Sequence, residues 1–205
     1  MSVSSIYPSG EGPAAQSAPA GMRRRGSRRA ALTRSRLLDS ALEELRAHGF
    51  EGLTVRNSAR RAGLAAATAY THFSSKEHLV AELFWRLVET LPNAVEATDP
   101  PARRAGEALS PVAEAVASEP ELARACTLSL LLDDPDVRRL RDQIAHEWYR
   151  RVAGALGGDG NPDRTTVLVL AWTGMLVAAG SGHIRYSDIP SLLEVAARAL
   201  VGEPA

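Results

Sequence analysis

Residues 54–77 read Thr-Val-Arg-Asn-Ser-Ala-Arg-Arg-Ala-Gly-Leu-Ala-Ala-Ala-Thr-Ala-Tyr-Thr-His-Phe-Ser-Ser-Lys-Glu. The pattern predicts a short basic helix capped by Thr54 and running to about Ala62. Gly63 is then the turn, because glycine takes a positive φ at no steric cost. A second short helix follows, from about Ala65 to His72. Ser74 or Ser75 caps a third and longer helix, with Glu77 well placed in its first turn. Two short helices around a glycine turn form a helix-turn-helix, whose second helix enters the DNA major groove. A chain built on that motif is expected to bind DNA and not to be an enzyme.

Upstream, Leu37, Leu38, Ala41, Leu42 and Leu45 recur at helical spacing. Thr33 is the expected N-cap of that helix, which should stop before Gly49 and drop Phe50 and Leu53 into the core. Downstream, the third helix should run to about Leu91. Helices follow over about 102–117 (containing Pro111), 119–132, 135–156, 162–179 and from Ser187 or Asp188 to Leu200. Asp134 and Asn161 are read as caps. Alternating β-branched runs are few and no hairpin signal appears, so the fold class is all-α. Residues 1–28 read as a disordered basic arm, 29–76 as a DNA-binding domain and 77–205 as a helical effector-binding and dimerisation domain. The arm contains Arg-Arg-Arg-Gly-Ser-Arg-Arg at 23–29. Such a segment either enters the minor groove or only solubilises the chain.

The 205 residues are 45% hydrophobic and 23% charged, enough to bury a sizeable core. Net charge is zero but unevenly spread. Residues 22–83 hold twelve basic and six acidic side chains, and 84–205 hold twelve and seventeen. This points to a local polyanion-binding face or to a solvated charged surface. The single cysteine, Cys126, excludes a disulfide within the chain and a cysteine-rich metal site. No cofactor or metal is expected. The longest apolar run, 167–179, is too short for a membrane span, and a cytoplasmic location is expected.

Residues 33–84 resemble the TetR family of bacterial transcriptional regulators. The resemblance rests on the Gly49-Phe50 helix end, Thr54-Val55-Arg56, the Ala59 to Gly63 turn, Tyr70-Thr71-His72-Phe73 and Ser75-Lys76-Glu77. It implies a three-helix DNA-binding head and a helical effector domain whose last two helices pair with a second subunit. The chain departs from the family pattern at Ser58, Ala65, Ala67 and Ala69. Alanine at 65 removes an expected helix cap, and Ser58 and Ala69 shave the small core of the head.

Thr54, Thr68, Tyr70, His72 and Lys76 are the expected phosphate contacts, positions that make such contacts in the family. Arg56 is the long donor expected to read guanine bidentately. Ala66, Ala67 and Thr71 are the expected base-facing positions of the second helix, reading thymine methyls or shape. Arg60 and Arg61 are read as a solvated face.

Candidate effector contacts are Leu83, Leu87, Val112, Val116, Cys126, Leu130, Ile144, Trp148, Trp172 and Met175, chosen as helix faces. Their apolar, aromatic character suggests a small hydrophobic effector such as a fatty acyl, steroid or aromatic compound. The helix 162–179 is apolar nearly all round, which argues for a homodimer interface. Its expected residues are Trp172, Gly174, Ala178, Leu192, Val195, Ala196 and Ala199. The resulting expectation is a repressor binding a roughly palindromic operator as a homodimer, released by its effector. The alternatives are an effector-independent architectural DNA-binding dimer, or a helical ligand-binding protein without DNA function.

Overall fold

The computed structural model describes the backbone of residues 20–93, 98–157 and 161–201, with side chains from residue 27 onward. Among these residues the secondary structure is helical, with no strand. The elements are α1 (Ala20–Gly52), α2 (Val55–Arg61), α3 (Ala66–Tyr70), α4 (Lys76–Thr90) and α5 (Pro101–Ser118). They continue with α6 (Pro120–Ser129), α7 (Pro135–Leu156), α8 (Pro162–Gly180), a 3-10 turn at Tyr186–Asp188 and α9 (Ile189–Val201).

Local chemistry sets most boundaries. Thr54 caps α2 by accepting a 3.0 Å hydrogen bond from the Asn57 amide. Ser75 accepts one from His78, Asp134 from Asp136 and Val137, and Asn161 from Arg164. The helix α2 ends in a Schellman motif: the Leu64 amide bonds the Ala59 carbonyl at 2.9 Å and the Gly63 amide bonds Arg60 at 3.1 Å. That geometry needs the φ of +66° found at Gly63. As expected, Ala65 gives α3 no side-chain cap.

The beginning of α1 corrects the sequence reading. The helix starts at Ala20, so Thr33 lies inside it and caps nothing. Alanine and arginine between residues 20 and 33 are strong helix formers, and they carry the helix through Gly26 and Ser27. The expected disorder over 1–28 therefore meets helix from residue 20 on, and its first nineteen positions lie outside the described residues. At the other end, Gly49 breaks α1 with φ +65°.

The head is built on α1, α2, α3 and the start of α4. Leu37, Leu38, Ala41 and Leu45 of α1 pack with Leu53, Val55, Ala59, Ala69, Phe73 and Leu79. Ser58 is fully buried in this core, and its hydroxyl donates to the Thr54 carbonyl at 3.1 Å, so the polar atom is satisfied. The buried cluster continues without a break into the body through α4. There α5 packs on α7 and α9. A side chain at Gly106 would meet the Pro190 carbonyl at 2.9 Å, so α5 and α9 approach closely there.

The helix α7 holds α4 at both ends. Asp136 receives a hydrogen bond from Ser74, just before α4 begins. Arg151 is buried and donates to the Val88, Leu91 and Pro92 carbonyls at 3.0–3.2 Å, capping the end of α4.

Candidate nucleic-acid interface and effector cavity

The recognition helix α3 presents Ala67, Thr68, Tyr70 and Thr71 to solvent, while Ala69 is buried against the head core. Ala66 and His72 are half-buried. Tyr70 is 53% exposed, so its hydroxyl is open to a phosphate. Thr54 is exposed at the start of α2. Its oxygen accepts from Asn57, which leaves its own proton free to donate. Arg56 is exposed and, among the described residues, bonds to nothing.

Two expected DNA contacts are engaged elsewhere. The Thr71 hydroxyl donates to the Thr68 carbonyl at 2.7 Å, so only its methyl group and a lone pair remain for a base. Lys76 donates to the Phe50 carbonyl at 3.3 Å, and its ammonium lies 4.1 Å from the Phe50 ring centroid. It therefore closes the broken end of α1 onto α4 through a hydrogen bond and a cation–π contact. Arg61, read as solvated, pairs with Glu44 at 2.6 Å and Glu43 at 3.3 Å, while Arg60 is exposed as expected.

Behind the recognition helix lies a partly charged junction. Glu82, buried on α4, pairs with Arg34 of α1, whose guanidinium stands 5.4 Å from the Phe73 ring centroid. His78 is buried, with Nδ1 accepting from the Ser74 amide at 3.2 Å. That assigns its proton to Nε2, 3.7 Å from Glu82. Burial pushes the Glu82 carboxyl up, but His78 and Arg34 together pull it further down, leaving it below the ordinary carboxylate value.

The body holds a partly open, mostly apolar cavity of about 320 Å³ among α4, α5, α6, α7, α8 and the 3-10 turn, with Arg141 and Asp142 in its wall. Of the residues chosen from sequence, Val116, Cys126, Leu130, Ile144 and Trp148 line it. Leu83, Val112 and Trp172 are buried in the core instead, and Leu87 and Met175 are half-buried away from the lining. The wall also includes Phe84, Ala123, Thr127, Ala145, Thr173, Leu176 and Tyr186, none of them chosen. Several sit one position from a chosen residue, as Phe84 does from Leu83. One position is about 100° on a helix, enough to exchange wall for core. Burial pushes the Cys126 thiol strongly up, so it stays protonated and behaves as an apolar wall group.

Trp172 was also an expected dimer residue, and this is corrected. It is fully buried and packs edge-on against Trp148 at 5.9 Å. Of the other expected interface positions, Gly174, Leu192, Val195 and Ala199 are exposed, and Ala178 and Ala196 are half-buried. Val167 and Leu170 extend this open apolar stripe on α8. A Cβ at Gly174 would meet nothing within 4 Å.

Among the described residues, no helix is long and apolar enough to cross a membrane. None of their His, Cys, Asp and Glu side chains form a group of three that could hold a metal.

A short helix displayed on a helix-turn-helix head, joined to a helical body, is the architecture of a class of helical DNA-binding transcriptional regulators. Residues 37–83 match the model of the bacterial regulatory proteins of the tetR family. The chain is 41% identical over 169 residues to an HTH-type transcriptional regulator of Mycobacterium tuberculosis H37Rv, covering 82% of this chain and 79% of that one. It is 28% identical to the HTH-type transcriptional repressor KstR of Rhodococcus jostii RHA1, covering 83% of each. Its fold is similar to that of a TetR transcriptional regulator from Rhodococcus sp. RHA1, with a TM-score of 0.68, 20% identity and coverage of 88% and 99%. The chain belongs to the TetR family: it is a DNA-binding transcriptional regulator, not an enzyme.

Proposed function

We propose that the protein is a cytoplasmic homodimeric repressor that leaves a roughly palindromic operator when a small apolar effector fills the cavity. The observation that carries this reading is the double attachment of α7 to α4. The cavity is walled by Ile144, Ala145 and Trp148 of α7 and by Phe84 of α4. The same two helices are joined at Ser74 and Asp136, immediately behind the recognition helix. An effector that spreads or rotates α7 would therefore bias the position of α3. The exposed apolar stripe of α8 and α9 supports a pairing surface. Repression is supported by the likeness to KstR. Residues 29–76 serve as the head and 77–205 as the body. Thr54, Arg56, Thr68, Tyr70 and His72 touch DNA in this reading, and Ala66, Ala67 and Thr71 face the bases.

The test is fluorescence anisotropy with a duplex from the DNA upstream of the protein's own gene. Titration with fatty acyl, steroid and aromatic compounds should find one class that releases the duplex. Binding that no compound weakens, with every compound also failing to shift the melting temperature, rejects the effector reading. Absence of binding to any upstream duplex rejects the operator.

A further inference from the structure

We propose that the N-terminal extension of α1, residues 20–33, is a second DNA-binding element that lies along the phosphate backbone beside the recognition helix. The proposal rests on the DNA-binding reading of α3 and adds a surface to it.

The extension has an unusual charge pattern. Between Glu11 and Asp39 the chain carries no acidic residue, while Arg23, Arg24, Arg25, Arg28 and Arg29 all fall in this stretch. Positions 24 and 28, and 25 and 29, are one helical turn apart. Arg28 and Arg29 are exposed and bond to no other described residue. The two arginines that follow are used differently: Arg34 pairs with Glu82, and Arg36 donates to the Ala62 carbonyl at 2.7 Å. Among the described side chains, the arginines thus divide at Thr33 into a structural pair, Arg34 and Arg36, and a pair with no bond to another described residue, Arg28 and Arg29.

Position supports the same partner. Arg36 is fixed to the end of α2, next to the Gly63 turn that leads into α3, and Arg34 stands over Phe73 just beyond α3. The extension therefore leaves the head at the flanks of the recognition helix. Residues 27–32 are all exposed, including Leu32 at 59%, so no other described element packs there. From Thr33 back to Ala20 the extension runs fourteen residues, about 20 Å of helix. Its five arginines fall between residues 23 and 29, about 10 Å of that length, a basic segment suited to neighbouring phosphates.

Helicity decides between two modes of contact. An extended basic arm can thread the minor groove, but that groove is only about 6 Å wide and a helix with side chains measures about 10–12 Å. The extension cannot enter as a helix. It contacts phosphates, so it adds affinity and salt dependence without reading sequence.

The experiment compares wild type with Arg28→Ala/Arg29→Ala and with a variant in which all five arginines become alanine. Alanine favours helix, so the extension keeps its form. Binding to an upstream duplex and to a random duplex is measured against salt concentration. The slope of log K against log salt should shrink by about two per bound protomer, hence about four for a dimer, in the double variant, and further in the fivefold one, equally on both duplexes. Arg28→Lys/Arg29→Lys should restore it. An unchanged slope in both alanine variants overturns the proposal. So does competition of a minor-groove-binding dye with wild type that disappears in the fivefold variant. Failure of wild type to bind either duplex would instead overturn the DNA-binding reading beneath it.

Discussion

The Ser74 hydroxyl donates a 2.8 Å hydrogen bond to Oδ2 of Asp136, sixty-two residues further along the chain. Ser74 lies between the recognition helix and α4, and Asp136 lies in the first turn of α7. One bond therefore joins the DNA-reading end of the head to the helix that walls the cavity. At the far end of α4, Arg151 performs the matching task, so α4 and α7 are held at two points about four turns apart.

Asp136→Ala should remove the head-proximal attachment and leave the distal one. Unfolding should cost about 1 kcal/mol less than in wild type, the usual net worth of such a bond. Amide exchange of residues 65–75 should accelerate while that of 140–150 stays unchanged. Uniform exchange across both segments would show that the bond does not couple them.

Arg151→Met should be far more damaging. It leaves three carbonyls at the end of α4 without their donor, while Glu147 keeps its two hydrogen bonds from Arg150. A loss of about 1–3 kcal/mol for each carbonyl left buried without a donor is expected. Urea unfolding measures it, and a loss below about 1 kcal/mol would contradict the role.

Lys76→Ala and Tyr70→Phe should separate folding from DNA contact. The lysine is bound to Phe50, so its loss should lower head stability by about 1 kcal/mol and barely alter the salt slope of binding. The tyrosine touches nothing that stabilises the head, so its hydroxyl should cost affinity alone, about 1 kcal/mol on every sequence. Calorimetry and salt titration of both variants decide, and a reversed pattern would return Lys76 to the phosphates.

Val195→Asp should yield a folded monomer, because that side chain is 61% exposed on the open face of α9. Trp172→Ala should instead cost about 3–5 kcal/mol by emptying the core. Sedimentation and melting together distinguish the two. A Val195→Asp protein that remains dimeric would move the interface elsewhere.

Acid should unfold the junction behind the recognition helix. Because the folded-state Glu82 carboxyl titrates below its ordinary value, its contribution is present above that value and is lost as pH falls through the depressed one. Stability should therefore fall in the acid range below the ordinary carboxylate value, and the fall should be shallower in Glu82→Gln. Parallel acid limbs in the two proteins would remove Glu82 from the account.

The head was largely legible because its signals are local. Thr54 and Ser75 cap amides three residues away, as Asp134 and Asn161 do in the body within two or three, and Gly63 turns within a six-residue motif. The start of α1 was not legible, because Thr33 has cap chemistry but sits in a stretch whose alanines and arginines favour continuation. The contact of Lys76 with Phe50 was not legible, because it forms only when Gly49 folds the end of α1 back. Trp172 was misassigned because α8 is apolar all round, and a sequence without a polar face gives no phase to its period. The cavity wall needed a rotational precision finer than one residue, which helical spacing alone does not supply.

Cys126 has a practical consequence. It is the chain's only sulfhydryl, and it stands on the wall of the cavity. Because burial keeps that thiol protonated, a small, uncharged methanethiolating reagent would react only slowly, through openings that let the sulfur ionise, but the mark would fall in that chamber alone. Protection of this one atom, followed by intact mass, turns the protein into its own assay for whatever occupies the chamber.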